Sequence, residues 1–209
     1  LLLVCSEHSA CAAAAAAAAV RVRLLQHIQP PGTLDGGDVL QLPGSRHILV
    51  GLSGRTNAAA LQQMQEMLPQ HTLHGVLVAH GLHLKSACTA LDSKTMVYAD
   101  DEAGRGLKRL LQEHPAFSSD SSSGSSGNSS SFSGSSGRSQ PWQHVLVEPA
   151  CANLLLLGDR HVVMSGGFSR SEKLLEQMAA ERGSQLHKLD FGEFAKADGS
   201  LTCCSILLP

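Results

Sequence analysis

One pattern restricts the fold of this chain more than any other: two short strands, a helix and a third strand, in that order, three times over. The first unit runs through strand-like segments at 39–42 and 48–52, separated by Pro43-Gly44-Ser45, then a helical segment at 57–68 and a strand at 75–79. Within the helical segment Ala60, Leu61, Met64, Met67 and Leu68 are spaced by threes and fours, the period of one buried helix face. The second unit reads 87–91, 95–99, helix 102–113, then strand 145–148. The third reads 154–157, a turn at Gly158-Asp159, strand 161–165, helix 171–182 and strand 185–189, with Gly183 placed as a C′ residue. Three such copies predict α/β modules arranged around an axis, with strand ends converging on a central site.

The second unit is interrupted. Residues 118–140 are almost entirely Ser and Gly, relieved by Asp120, Asn128, Phe132 and Arg138. Such a tract buries too little apolar surface to offset its ordering entropy and reads as a disordered insertion. Closure entropy grows slowly with loop length, so one domain over 1–209 with an inserted loop is expected, not two domains. Upstream, residues 1–4 read as a strand, and residues 10–27 as a helix capped by Ser9, with Arg21 and Arg23 near its C-terminal end. The alanine run is too short to span a bilayer and lacks the basic flank of a secretory signal.

Charge is close to balanced, 16 basic against 18 acidic residues, with no Lys/Arg cluster, and aromatic residues make up 3%. Nucleic acid and anionic membrane surfaces are therefore not expected partners. Six cysteines without a CxxC pair argue against a structural zinc site and fit reduced thiols in the cytoplasm.

Four segments carry possible chemistry. Leu34-Asp35-Gly36-Gly37-Asp38 sets two carboxylates around a diglycine. It reads either as an ordinary turn or as a carboxylate pair, one binding a cation and one orienting a histidine. Gly51-Leu52-Ser53-Gly54-Arg55 ends a strand; Arg55 is either a surface residue or a clamp for a carboxylate. His83, in Gly81-Leu82-His83-Leu84-Lys85-Ser86, follows a strand end, with Lys85 and Ser86 suited to a polar pocket rim. Last comes Leu201-Thr202-Cys203-Cys204-Ser205 after the turn Asp198-Gly199-Ser200. This is β-prone, and on a strand one thiol would face the interior and its neighbour away. A buried strand with two small hydrophobes and a reactive thiol are both open readings.

In this order and spacing the four segments, with weaker similarity at Ala152-Asn153, resemble the dimethylarginine dimethylaminohydrolase family of the guanidine-modifying pentein superfamily. The likeness covers about residues 7–117 and 141–208. It implies a five-bladed α/β propeller of ββαβ modules and a Cys-His-carboxylate site that needs no cofactor and no metal. Cys203 matches the nucleophile, His83 the general acid/base and Asp35 the carboxylate orienting it. Arg55 matches a ligand of the substrate carboxylate, Ala197 falls where a backbone carbonyl holds the substrate, and Asp38 is the companion carboxylate for substrate binding. The implied partner is a small molecule: an Nω-methylated arginine, hydrolysed to citrulline and dimethylamine or methylamine. Zinc on Cys203 would inhibit by occupying the thiol.

The family also carries two further N-terminal modules whose acidic residues grip the guanidinium, and residues 1–34 do not reproduce them. The chain is thus expected to be an N-terminally truncated member holding about three of five modules, and to bind substrate weakly. Arginine or agmatine deimination, and a non-catalytic binding homologue, stand as alternatives. No oligomeric state follows from these residues.

Overall fold

The computed structural model describes residues 2–5, 24–118, 141–158 and 160–205. Two short strands come first, β1 (Leu2–Cys5) and β2 (Leu24–His27), paired in parallel. This corrects the expected helix over 10–27: its last four residues are strand, and 10–23 lie outside the described residues. Parallel strands cannot be joined by a tight turn, so backbone pairing with β1 decides the state of 24–27 where local propensity alone favoured a helix.

Three modules follow. In the first, β3 (Val39–Gln41) lies antiparallel to β4 (His47–Leu52), helix α1 (Ala58–Met67) crosses over, and β5 (Thr72–Leu77) returns parallel to β4. The second opens with the short helix α2 (Leu84–Ala87), which delivers the chain to β6 (Cys88–Asp92), antiparallel to β7 (Thr95–Ala99). Helix α3 (Glu102–Glu113) then leads to β8 (Gln143–Val147), parallel to β7. The third has β9 (Leu155–Leu157) antiparallel to β10 (His161–Ser165), helix α4 (Ser169–Glu181), and β11 (Gln185–Leu189) parallel to β10. Each sheet is three-stranded, with the second strand of its module at the centre. The expected repeat is therefore present as three small mixed sheets of identical connectivity.

Local chemistry explains the boundaries. Asn57 caps α1 by accepting from Ala60 N, and Asp101 caps α3 by accepting from Gly104 N, each satisfying an orphan N–H. Gly183 closes α4 at φ +67°, the left-handed conformation that suits glycine. β7 is buried at all five positions, as the middle strand of a covered sheet must be.

Two apolar clusters join the modules. Leu40, Leu49, Val76 and Val78 of the first meet Tyr98, Leu107, Leu111, Phe117 and Trp142 of the second. Leu91, Val97 and Val147 of the second meet Leu154, Val162, Met164 and Leu175 of the third. The expected Ser/Gly insertion, apart from Ser118, lies with residues 119–140 outside the described residues. No helix among the described residues is long and apolar enough to cross a membrane.

After α5 (Gly192–Ala195) the chain does not form the strand expected at 201–205: Leu201–Cys204 is a turn, with the Cys203 and Cys204 N–H groups both donating to Ser200 O. No neighbouring strand pairs with it among the described residues, so its β-prone composition has no ladder to join.

Candidate active site

The Asp-Gly-Gly-Asp segment forms a single 3-10 turn, Gly36–Asp38, that feeds β3. Asp35 caps it, Oδ1 accepting from Gly37 N at 2.9 Å. Oδ2 of the same carboxylate lies 3.2 Å from His83 Nε2 and 3.5 Å from Arg55 Nη1. Gly37 makes the approach possible: a Cβ there would stand 2.6 Å from Cγ of His83. His83 is the N-cap residue of α2, so the short helix aims its ring back at the turn.

The His83 ring is nearly buried, and Nε2 is also 3.0 Å from Arg55 Nη1. One nitrogen cannot donate to Asp35 and accept from Arg55 at once, so the two contacts belong to different protonation states. The imidazolium donates Nε2–H to Asp35; the neutral ring protonated on Nδ1 accepts from Arg55. Nδ1 is buried and makes no hydrogen bond among the described residues. Burial raises the Asp35 pKa, but the Gly37 N–H, His83 and Arg55 outweigh it and hold the carboxyl below its ordinary value.

Asp38, expected as a ligand for substrate, is placed with its carboxylate turned to the protein. It is fully buried, Oδ2 accepting from Ser53 Oγ and Thr56 Oγ1 at 2.7 Å each, and Oδ1 from Leu84 N at 2.9 Å. Thr56 Oγ1 in turn accepts from Asp35 N at 3.0 Å. The second carboxylate thus fastens the turn, the Arg55 loop and the start of α2 to one another, and presents no free edge to a ligand.

Cys203 and Cys204 are both exposed, which corrects the expectation of one inward and one outward thiol. The alternation that would bury one of them requires a strand, and the segment is a turn. Cys203 Sγ lies 3.1 Å from Ser200 Oγ. Burial lowers the pKa of Lys85, opposed by the neighbouring Cys203, Asp35 and Asp38, and its backbone oxygen accepts from Asn153 Nδ2, which also donates to Thr202 Oγ1 of this turn. Ala197 is exposed between α5 and Asp198, which has φ +56°, and its N–H donates to Phe194 O.

The fold therefore brings together Asp35, Arg55 and His83 in direct contact, and Asn153 ties the Lys85 backbone to Thr202 of the Cys203 turn. Two residues gained weight from the structure: Lys85, read in the sequence only as a pocket rim, and Asn153, read only as weak similarity. Their partners lie in other modules, which spacing along the chain does not reveal. Among the described residues no group of three or more His, Cys, Asp or Glu side chains is placed to hold a metal ion.

Residues 5–119 match the family described as arginine deiminase. A Streptomyces coelicolor protein named N(G),N(G)-dimethylarginine dimethylaminohydrolase is 33% identical over 181 residues, covering 85% of this chain and 55% of the relative. Its Pseudomonas aeruginosa namesake is 24% identical, over 87% of this chain and 59% of the relative. A solved structure of the P. aeruginosa enzyme with citrulline superposes with a TM-score of 0.58 at 20% identity, over 87% of this chain and 58% of that one. A dimethylarginine dimethylaminohydrolase bearing an adduct with S-methyl-L-thiocitrulline gives a TM-score of 0.60 at 23% identity, over 86% and 57%. The chain spans a little over half the length of these relatives.

Proposed function

The chain belongs to the arginine deiminase family, and from that premise we propose that it acts on Nω-methylated arginine through Cys203, His83 and Asp35. The contact between His83 and Asp35, made across the Gly37 backbone, carries this reading. It gives a histidine fixed by a carboxylate through one ring nitrogen, with the other nitrogen uncommitted.

The chemistry follows from the substrate. A guanidinium carbon is electron-poor but resonance-stabilised, and thiolate is the strong, soft nucleophile that suits it. A cationic substrate beside Cys203 favours the thiolate form. Sulfur adds to the guanidinium carbon, His83 gives its proton to the departing dimethylamine, and the C–N bond breaks to leave a thiouronium on Cys203. The same histidine, now neutral, takes a proton from water as the oxygen adds to that carbon. The carbon–sulfur bond then breaks, releasing citrulline and restoring the thiolate. Asp35 orients the ring through both halves and stabilises its imidazolium form whenever that forms, as the third member of a triad does. Arg55, half exposed beside this pair, is the ligand for the substrate's α-carboxylate, and the Ala197 backbone carbonyl contributes from the loop before Cys203. The runner-up, deimination of arginine itself, rests on the description of the matching family.

Two readouts test the proposal. Incubation with Nω,Nω-dimethylarginine should yield citrulline and dimethylamine in equal amounts, whereas preferential release of ammonia from arginine would favour deimination. Intact-mass analysis with S-methyl-L-thiocitrulline should show one adduct, lost in Cys203→Ser and kept in Cys204→Ser within about threefold in rate. A folded chain that forms neither product nor adduct, or whose adduct survives Cys203→Ser, would overturn the reading.

A further inference from the structure

Asn153 lies in the connection between Pro149–Cys151 and β9, is 4% exposed, and among the described residues its side chain hydrogen-bonds to neither the His83–Asp35 pair nor Cys203. Its carboxamide is nevertheless fully engaged. Oδ1 accepts from Thr202 N at 2.9 Å, while Nδ2 donates to Thr202 Oγ1 at 2.9 Å and to Lys85 O at 2.8 Å. Thr202 is the residue before Cys203, and Lys85 is two residues after His83. One amide group therefore bridges the thiol-bearing turn and the helix that carries the histidine.

We propose that Asn153 is a positioning residue that registers the Cys203 turn against the His83–Lys85 segment; this rests on the reading given above for Cys203 and His83. The turn needs such a tie. Its other hydrogen bonds among the described residues stay within it: Cys203 N and Cys204 N to Ser200 O, Ser200 Oγ with Cys203 Sγ, and Ser205 Oγ to Leu201 O. The burial of Leu201 is non-directional and fixes depth without fixing rotation. The two bonds to Thr202 form a closed ring that does fix rotation.

Asn153 is itself held on both sides. Thr89 Oγ1 donates to Ala152 O at 2.5 Å and accepts from Leu154 N at 3.3 Å, and Thr89 is buried in β6 directly after α2. The clasp is thus built from the same strand–helix corner that sets His83. A carboxamide suits the place because it offers two donors and an acceptor in one plane. A carboxylate would keep the bond from Thr202 N and could accept from the Thr202 hydroxyl, but would lose the donation to Lys85 O that ties the turn to the His83–Lys85 segment.

The test is made in a Cys204→Ser background, so that a single exposed thiol reports. Hydrogen–deuterium exchange of the 200–205 segment should speed up in Asn153→Ala and Asn153→Asp at an unchanged thermal midpoint of the bulk chain. Adduct formation with S-methyl-L-thiocitrulline should slow by about 10²-fold, the cost of misplacing a reacting group by about an ångström. Alkylation by iodoacetamide, which needs no alignment with His83, should change by less than about threefold, and Thr202→Ser, which keeps the Oγ partner, should restore parental exchange and adduct rates relative to Thr202→Val. If exchange in 200–205 is the same in the parent and both Asn153 variants, the proposal is wrong. It is equally wrong if exchange rises while adduct formation keeps its rate. A parent chain that reacts with iodoacetamide but never with the thiocitrulline would sink the functional reading instead, and the exchange measurement alone would then decide the role of Asn153. Should Asn153→Ala lower the midpoint, the near-isosteric Asn153→Asp carries the comparison.

Discussion

Asp35 and Asp38 are three residues apart and chemically identical, yet the fold gives them opposite work. Asp35 keeps one oxygen on the Gly37 N–H and turns the other toward His83 and Arg55. Asp38 spends both oxygens on Ser53, Thr56 and the Leu84 N–H. The sequence shows the two carboxylates around a diglycine but not this division, because the donors that claim Asp38 come from β4's end and from α2. Asp38→Ala should therefore act on stability, leaving three donors without their acceptor at a cost on the order of 3 kcal/mol. Urea unfolding reads that loss, while the residual folded fraction should bind an Nω-methylated arginine as the parent does. A variant of parental stability with substrate affinity weakened about 10²-fold would return Asp38 to the ligand role. The depressed pKa of Asp35 ties stability to pH: its stabilising interactions are present above the ordinary carboxylate range and are lost as pH falls through the lowered value.

Among the elements, those with a strong local signal were legible and those set by a partner were not. β7, α3, β10 and β11 fall at the positions expected for them, and Asp101 caps α3. β5 begins three residues earlier than its apolar stretch suggests, because Thr72 pairs with His47 and the ladder, not hydrophobicity, fixes its start. The same reasoning explains 24–27, recruited as strand by β1, and 201–205, which no strand recruits. Helix α3 offers a sharper trial of local preference against packing. Alanine is the better helix former by about 1 kcal/mol, so propensity favours replacing both glycines within it. A Cβ at Gly104 would lie 2.1 Å from the backbone oxygen of Ala99 in β7, whereas one at Gly106 meets nothing within 4 Å. Gly106→Ala should stabilise the chain by about 0.5–1 kcal/mol. Gly104→Ala should destabilise it by about 1–3 kcal/mol, since backbone cannot yield as a side chain can. Urea midpoints moving the same way in both variants would mean that α3 does not rest on β7 at this distance.

At the scale of the whole molecule the modules repeat in connectivity but are joined by different chemistry. The second and third are linked by Arg182, whose guanidinium reaches Asp92, Thr95 and Gln143 and also caps back to Met178 O. The first and second meet through a cluster of rings: His47 and His74 of β4 and β5 against His114 and Phe117 beyond α3, with Trp142 on the far side of Phe117. A histidine pair recurs at the same positions of the third module, His161 with His187, with His161 exposed, His187 half-buried, and no such ring cluster around them. Burial first, and then the nearby His114 and His47, push the His74 pKa down to about 4. Unfolded, the same imidazole titrates near its ordinary value of about 6.5. Between those values the unfolded chain binds the extra proton and the folded one does not, so stability must fall as pH drops through that window and level off above it. The joint between the first two modules is then acid-sensitive in a way the Arg182 joint is not. The titratable groups facing His74 are His47 and His114, and no carboxylate among its ring contacts offsets them. His74→Gln should flatten the loss of urea midpoint between pH 7 and pH 5, while His187→Gln, in the counterpart pair outside the ring cluster, should leave the parental slope. Equal slopes in parent and His74→Gln would show that the ring cluster is not where the chain feels acid.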